Sequence, residues 1–155
     1  LEEKMTPERH LELLNKVCLK NRDAIDFIQR IGKVFRTWDN VWDGDKPYTK
    51  EDLDDNFAEL AFGLNDNSFF RRYRAILTAQ IFIAWNAWKD SNVWIESGDR
   101  HENVCAWIIR DYCNEIVMLC AYLVGGVKHT RRVSLEIRKE YLIELVEGGD
   151  YGNVQ

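Results

Sequence analysis

Apolar residues return at steps of three and four along nearly the whole chain, and no run of four or more residues alternates strictly between apolar and polar with turn signals at its ends. A period near 3.6 belongs to an amphipathic helix and a period of two to a half-buried strand, so the chain reads as all-α. Only 2 Pro and 9 Gly occur in 155 residues, little material for β-turns or flexible linkers. At 46% hydrophobic and 30% charged, the composition is that of a globular protein with enough apolar surface for a core. The expected architecture is a compact single-domain bundle of about six helices over residues 1–155, frayed at 1–5 and 150–155.

Local signals place the helices. Thr6-Pro7-Glu8 supplies a hydroxyl N-cap, a proline at the first helical position and an acid at the positive end of the dipole; Leu11, Leu14 and Cys18 then give a core face to about Lys20. Asn21 and Asp23 cap a second helix to about Trp42, with the stripe Ile28, Ile31, Phe35, Trp38 and Trp42. Asp43-Gly44-Asp45-Lys46-Pro47 is the strongest break in the chain. Thr49 with Asp52 opens a third helix, with Leu53, Phe57, Leu60, Ala61 and Leu64 toward the core and a solvated acidic side of Glu51, Asp52, Asp54, Asp55 and Glu59. Asn65-Asp66-Asn67-Ser68 turns and caps a fourth helix carrying Phe70, Tyr73, Leu77, Ile81, Ala84 and Trp88. A polar connection from about Lys89 to Arg100 follows. A fifth helix, from about His101 to Val124, is apolar on most of its circumference and reads as central, with Gly125-Gly126 as its stop; a sixth runs from Arg132 to Glu147.

Charge and cysteine usage narrow the function classes. A net charge of −5 disfavours a broad grip on nucleic acid or an anionic membrane. No stretch of about 18 uninterrupted apolar residues is present. Cys113 and Cys120 lie roughly 10 Å apart along one helix, too far to bridge, and no Cys-x-x-Cys pair occurs. With His10, His101 and His129 scattered, no zinc or haem ligand set is expected, and reduced thiols in the cytoplasm are the simplest account. Nucleotide-loop, Gly-x-Ser-x-Gly and His-Glu-x-x-His motifs are missing.

Two acidic constellations stand out. Asp39 and Asp43 are four apart and share a helix face at a C-terminus, where the negative dipole end attracts a cation. A hard cation such as Mg²⁺ uses one or two carboxylates at a pocket rim and completes its shell with water and phosphate oxygens. The EF-hand reading fails, because with Gly44 at the turn position Val41 and Lys50 fall where oxygen ligands are required. The plainer reading makes Asp43 and Asp45 a polar turn and pairs Asp39 with Arg36 or a lysine. On the fifth helix, Asp111 and Glu115 repeat the four-residue spacing beside Arg110 and Asn114, bordered by Trp107, Met118 and Tyr122. That stripe is either an interior acid pair needing a cation, an arginine or protonation, or the watered side of an amphipathic helix. Arg71, Arg72 and Arg74 lie near a helix start, where an anion would be held; Arg74 and Arg110 are the candidate phosphate partners.

The six tryptophans are Trp38, Trp42, Trp85, Trp88, Trp94 and Trp107, mainly at core spacing. Trp85, at a stripe edge, and Trp94, in the polar connection, are candidates for a partner surface.

The run Arg36-Thr37-Trp38-Asp39-Asn40-Val41-Trp42-Asp43-Gly44 resembles the first aspartate-rich motif of the squalene/phytoene synthase family. The resemblance implies a helix whose Asp39 and Asp43 bind Mg²⁺ with a prenyl diphosphate. Asp111-x-x-x-Glu115 would stand in for the family's second motif, with Glu in place of Asp and a shorter gap. Enzymes of that family are much longer, so the metal and diphosphate chemistry is the part implied. The Trp-Asp-x-x-x-Asp-Gly-Asp-Lys-Pro pattern with a Leu-Val-Gly-Gly helix end also resembles small helical proteins of phages and prophages, which implies no activity.

Two readings follow. The first is a small helical interaction protein, phage-encoded and acting in the host cytoplasm, that binds a protein partner or a second copy without catalysis. The alternative is Mg²⁺-dependent binding or turnover of a phosphorylated or diphosphate ligand by Asp39, Asp43, Asp111 and Glu115, with Arg74 and Arg110 on the phosphate.

Overall fold

The computed structural model describes residues 6–44 and 47–148, with side chains described as far as Tyr141. No strand occurs among the described residues. The elements in order are α1 (Pro7–Val17), α2 (Arg22–Asp43), α3 (Lys50–Ala58), a π-helical turn (Glu59–Gly63), α4 (Leu64–Asp66), α5 (Ser68–Glu96), α6 (Arg100–Arg110), a 3-10 turn (Asp111–Cys113) and α7 (Asn114–Gly148). The chain is all-α, as its period requires. Because α3 passes through the π turn into α4, and α6 through the 3-10 turn into α7, the described residues form five continuous helical stretches rather than six.

Caps account for most of the starts. Thr6 Oγ1 accepts from the Arg9 N–H at 3.2 Å with Pro7 at the first turn, Asn21 Oδ1 accepts from Ala24 at 3.1 Å, and Thr49 and Asp52 form a reciprocal capping box. Gly44 ends α2 in the left-handed region at φ 70°, its N–H donating to the Asn40 carbonyl at 3.0 Å. Asp45 and Lys46 of the expected break, and the expected frayed ends, lie outside the described residues.

Two expected boundaries are corrected. The polar connection after Lys89 is helical through Glu96, because its polar side chains bury themselves on the backbone: Ser91 is fully buried and donates to the Trp88 carbonyl at 2.7 Å. Trp94 therefore sits on α5. Gly125-Gly126 does not stop the fifth helix; Gly126 at φ 68°, ψ −174° kinks α7, in a region of backbone space that is essentially glycine's alone. Thr130 Oγ1 donates to the Gly126 carbonyl at 3.0 Å across the kink.

The chain divides into two compact units, residues 1–20 with 77–155, and residues 21–76, the division falling within α5 three residues past its kink at Tyr73. In the first unit α1 runs antiparallel to the later part of α7. Arg9 pairs with Glu140 at 2.6 Å, His10 bonds Tyr141 at 3.1 Å, Lys16 pairs with Glu136, and buried His129 donates to the Val17 carbonyl at 2.8 Å. Leu13, Leu14, Val17, Cys18, Val133 and Ile137 are buried in this unit. Each large aliphatic among them contributes on the order of 1.5–3 kcal/mol. The expectation of a central fifth helix holds for Ile116, Val117, Cys120 and Ala121 but not for α6, where only Ala106 is buried and Val104 and Ile108 face water.

In the second unit Phe27 is fully buried, stacked on Phe70 at 5.6 Å and tilted on Phe69 at 6.2 Å. The buried face of α2 is Ala24, Ile25, Phe27, Ile28, Ile31 and Val34; the expected stripe through Trp38 and Trp42 runs out into solvent after Val34. Leu53, Phe57 and Leu60, placed in the core by their spacing, are likewise exposed, and no residue of α3 is buried. Polar contacts attach α3 instead, Asn56 Nδ2 donating to the Val34 carbonyl at 3.2 Å.

Asn67 joins α2 to the start of α5. Its Oδ1 accepts from the Phe70 N–H at 2.8 Å, and its Nδ2 donates to the Asp23 carbonyl at 2.8 Å and to Asp26 Oδ2 at 3.0 Å. Asn67→Ala is expected to cost about 1–2 kcal/mol of stability in urea unfolding, since it removes a cap and leaves buried groups unmet. Asn67→Asp keeps the acceptor but sets a third carboxylate beside Asp23 and Asp26, so it should not recover the loss. Full recovery by Asp would show that the cap alone matters.

Candidate functional site

The acidic candidates fall in different units. Asp39 and Asp43 lie in the second, on the last two turns of α2, where Asp39 is half-buried and Asp43 exposed. Asp111 and Glu115 lie in the first, and each has a partner. Asn114 Nδ2 donates to Asp111, and Arg138 Nη1 pairs with Glu115 Oε1 at 2.6 Å. Burial pushes the Asp111 carboxyl above the usual carboxylate range and Glu115 adds to the rise, against the pull of the Asn114 amide and the Arg138 charge. A raised carboxyl pKa means that ionising Asp111 works against the fold as the pH rises.

The basic candidates differ in the same way. Arg110 Nη1 donates to Asn92 Oδ1 at 2.5 Å and its guanidinium lies 5.7 Å from the Trp88 ring centroid, so Arg110 braces α6 on α5. Asn92 Nδ2 is buried without a hydrogen-bond partner among the described residues. Arg74 is exposed on α5 just past the Tyr73 kink, with Arg72 over the Tyr73 ring at 5.3 Å. Among the described residues no group of three or more His, Cys, Asp or Glu side chains is set to hold a metal ion.

Cys18, Cys105 and Cys120 carry free thiols. Burial pushes the Cys18 thiol up to about 12 and raises Cys120 well above its ordinary value, so both stay protonated and unreactive, whereas Cys105 is exposed. No described helix is long and apolar enough to cross a membrane.

Of the tryptophans singled out for a partner surface, Trp85 is exposed on α5 beside exposed Phe82, rings 6.2 Å apart, while Trp94 is half-buried. A more exposed pair escaped the sequence reading. Phe57 and Phe62 are each 66% exposed and meet edge to face, centroids 6.3 Å apart at 84°. In an α-helix residues five apart point about 140° away from each other. The π turn, whose hydrogen bonds link residues five apart, brings them together. The signal that could have found the pair is the five-residue aromatic spacing ahead of Gly63, which a search for steps of three and four passes over.

The π turn is held from α2. Arg30 Nη1 donates to Glu59 Oε1 at 3.2 Å and to the Gly63 carbonyl at 3.4 Å, while its Nε pairs with Asp26 at 2.8 Å. Hydrogen bonding to both carboxylates raises the Arg30 pKa further, so its charge is permanent. A Cβ on Gly63 would sit 2.6 Å from the Glu59 carboxylate, so glycine leaves the room that the Glu59–Arg30 pair occupies.

No protein-family model, curated protein or solved structure matches this chain.

Proposed function

We propose that this chain is a protein-binding module that works without catalysis, with the segment carrying Leu53, Phe57, Leu60 and Phe62 as the element it presents. The observation that carries this reading is the exposed Phe57–Phe62 pair, which meets edge to face across a π turn. Apolar side chains exposed together mark interaction sites, and aromatic anchors dominate the energetics of interfaces when a partner covers them. Exposed Phe82 and Trp85 give the first unit a second aromatic patch of the same kind.

The test is binding by the full chain. Proteins retained from a lysate of the encoding organism are identified, purified and titrated against wild type, Phe57→Ser/Phe62→Ser and Phe82→Ser/Trp85→Ser, each variant first shown to keep wild-type helicity. At least one purified protein should bind wild type and lose about tenfold or more in affinity, near 1.4 kcal/mol, with one of the variants. Purified candidates that treat both variants like wild type would overturn the reading.

A further inference from the structure

The two sides of α6 are reversed for a helix that serves only its own fold. Its inward side carries Asn103, Ala106 and Arg110, three and four residues apart. Only Ala106 is buried; Asn103 Oδ1 accepts from the Trp107 indole at 3.0 Å, and Arg110 reaches Asn92 on α5. The outward side is the apolar one. Val104 is 56% and Ile108 63% exposed, four apart on one face, and exposed Cys105 and Tyr112 extend the stripe. An amphipathic helix normally turns its apolar stripe to a core, so a stripe turned to water is a surface for something else to cover. Charge stands only at the two ends of this one. Arg100, exposed, and Asp111, half-buried, are eleven residues apart, close to three turns at about 3.6 residues each. They therefore lie on the same edge of the stripe, one at each end, with no lysine, arginine or carboxylate on the outward side between them.

We propose that the cover is a second copy of this chain, laid antiparallel on the stripe about a two-fold axis level with Ala106, midway between Val104 and Ile108. Such a contact sets each residue against the one equally far beyond the midpoint. Val104 then meets Ile108 of the second copy. Arg100, six residues before the midpoint, comes to Asp111 of the second copy, five residues after it. The axis turns the helix end for end but keeps each edge on its own side, so the two charges meet, and they meet twice. A parallel pairing would bring Arg100 level with its own counterpart and align the helix dipoles instead of opposing them. The stripe is thus complementary to itself in shape and in charge, which a second copy supplies and an arbitrary protein does not. Two helices of 11 residues cover less than the ~1,600 Å² of a standard stable interface, so the pair forms and parts with concentration. This contact lies apart from the Phe57–Phe62 face and does not rest on the protein-binding reading above.

The experiment is sedimentation of the full chain in reducing buffer, from about 1 to about 300 μM, a range that brackets an interface of this size. Wild type is compared with Arg100→Asp, Asp111→Lys, an equimolar mixture of those two, and Val104→Ser/Ile108→Ser, each variant first shown to keep wild-type helicity. Wild type should dimerise within the range, each charge reversal should weaken the dimer about fivefold or more, and Val104→Ser/Ile108→Ser should stay monomeric. The mixture should recover the wild-type affinity, because in a mixed pair every reversed charge faces its opposite. A wild type that stays monomeric throughout, a dimer indifferent to Val104→Ser/Ile108→Ser, or a mixture that associates no more tightly than its components overturns the proposal. If Asp111→Lys loses helicity, Arg100→Asp alone decides the charge contact: weaker association supports it and unchanged association overturns it.

Discussion

Phe27→Ala is expected to lower unfolding stability by about 3–5 kcal/mol, the usual cost of emptying a phenylalanine site in a packed interior. Phe27 is fully buried and stacks on Phe70 with a 17° interplanar angle, so truncation removes its transfer energy and two ring contacts together. The neighbours hang from helices that are pinned by caps at Asn21 and Asn67, which limits how far they can collapse into the space. Phe27→Leu keeps much of the volume and should lose well under half as much. Phe57→Ala is the matched control. It removes the same side chain from a position 66% exposed and should stay within about 0.5 kcal/mol of wild type. Urea unfolding followed by far-UV circular dichroism measures all three. Similar losses for Phe27→Ala and Phe57→Ala would contradict the burial assigned to each.

Gly125→Ala should destabilise by about 2–3 kcal/mol, opposite in sign to the gain of roughly 0.5–1 kcal/mol that replacing a helical glycine normally brings. A Cβ at Gly125 would fall 2.7 Å from the Cβ of His129 and closer still to its ring. His129 has nowhere easy to go, being 5% exposed and bonded through Nε2 to the Val17 carbonyl at 2.8 Å. Moving it overpacks the interior and breaks the bond that ties α7 to the end of α1. His129→Gly/Gly125→Ala tests the cause, since with the whole side chain gone, Cβ included, the added methyl should no longer cost anything beyond what His129→Gly costs alone. A stabilised Gly125→Ala protein would show that the His129 ring yields freely.

What the sequence made legible was local. Thr6-Pro7, Asn21, Thr49 with Asp52, and the Asn67 turn all cap helices where their chemistry says they should, because capping depends on neighbours within three residues. Period identified helices but not what covers their faces. Trp38 and Trp42, and Leu53 with Phe57, keep perfect core spacing on surfaces that the protein leaves exposed. Polar composition misled in the opposite direction between Lys89 and Glu96, where Ser91 bonds the backbone and Asn92 meets an arginine from the next helix. The acid pair on the first unit illustrates the same limit. The four-residue spacing of Asp111 and Glu115 was visible, but the partner of Glu115 is Arg138, brought back by the kink of α7 rather than by proximity in the chain.

The π turn between Glu59 and Gly63 has a consequence for how such a surface arises and is lost. A π turn holds about one residue more than the α turn it replaces, so the meeting of Phe57 with Phe62 depends on how many residues separate them as much as on which residues they are. Loss of one residue between them would leave the rings four apart and on one face of a regular α-helix, whereas a regular helix of the present length would set them about 140° apart. In evolutionary terms the π turn is what lets the pair persist at a spacing of five, where a regular helix would need four. Relatives aligned by substitution alone could conserve each phenylalanine and still lack the pair.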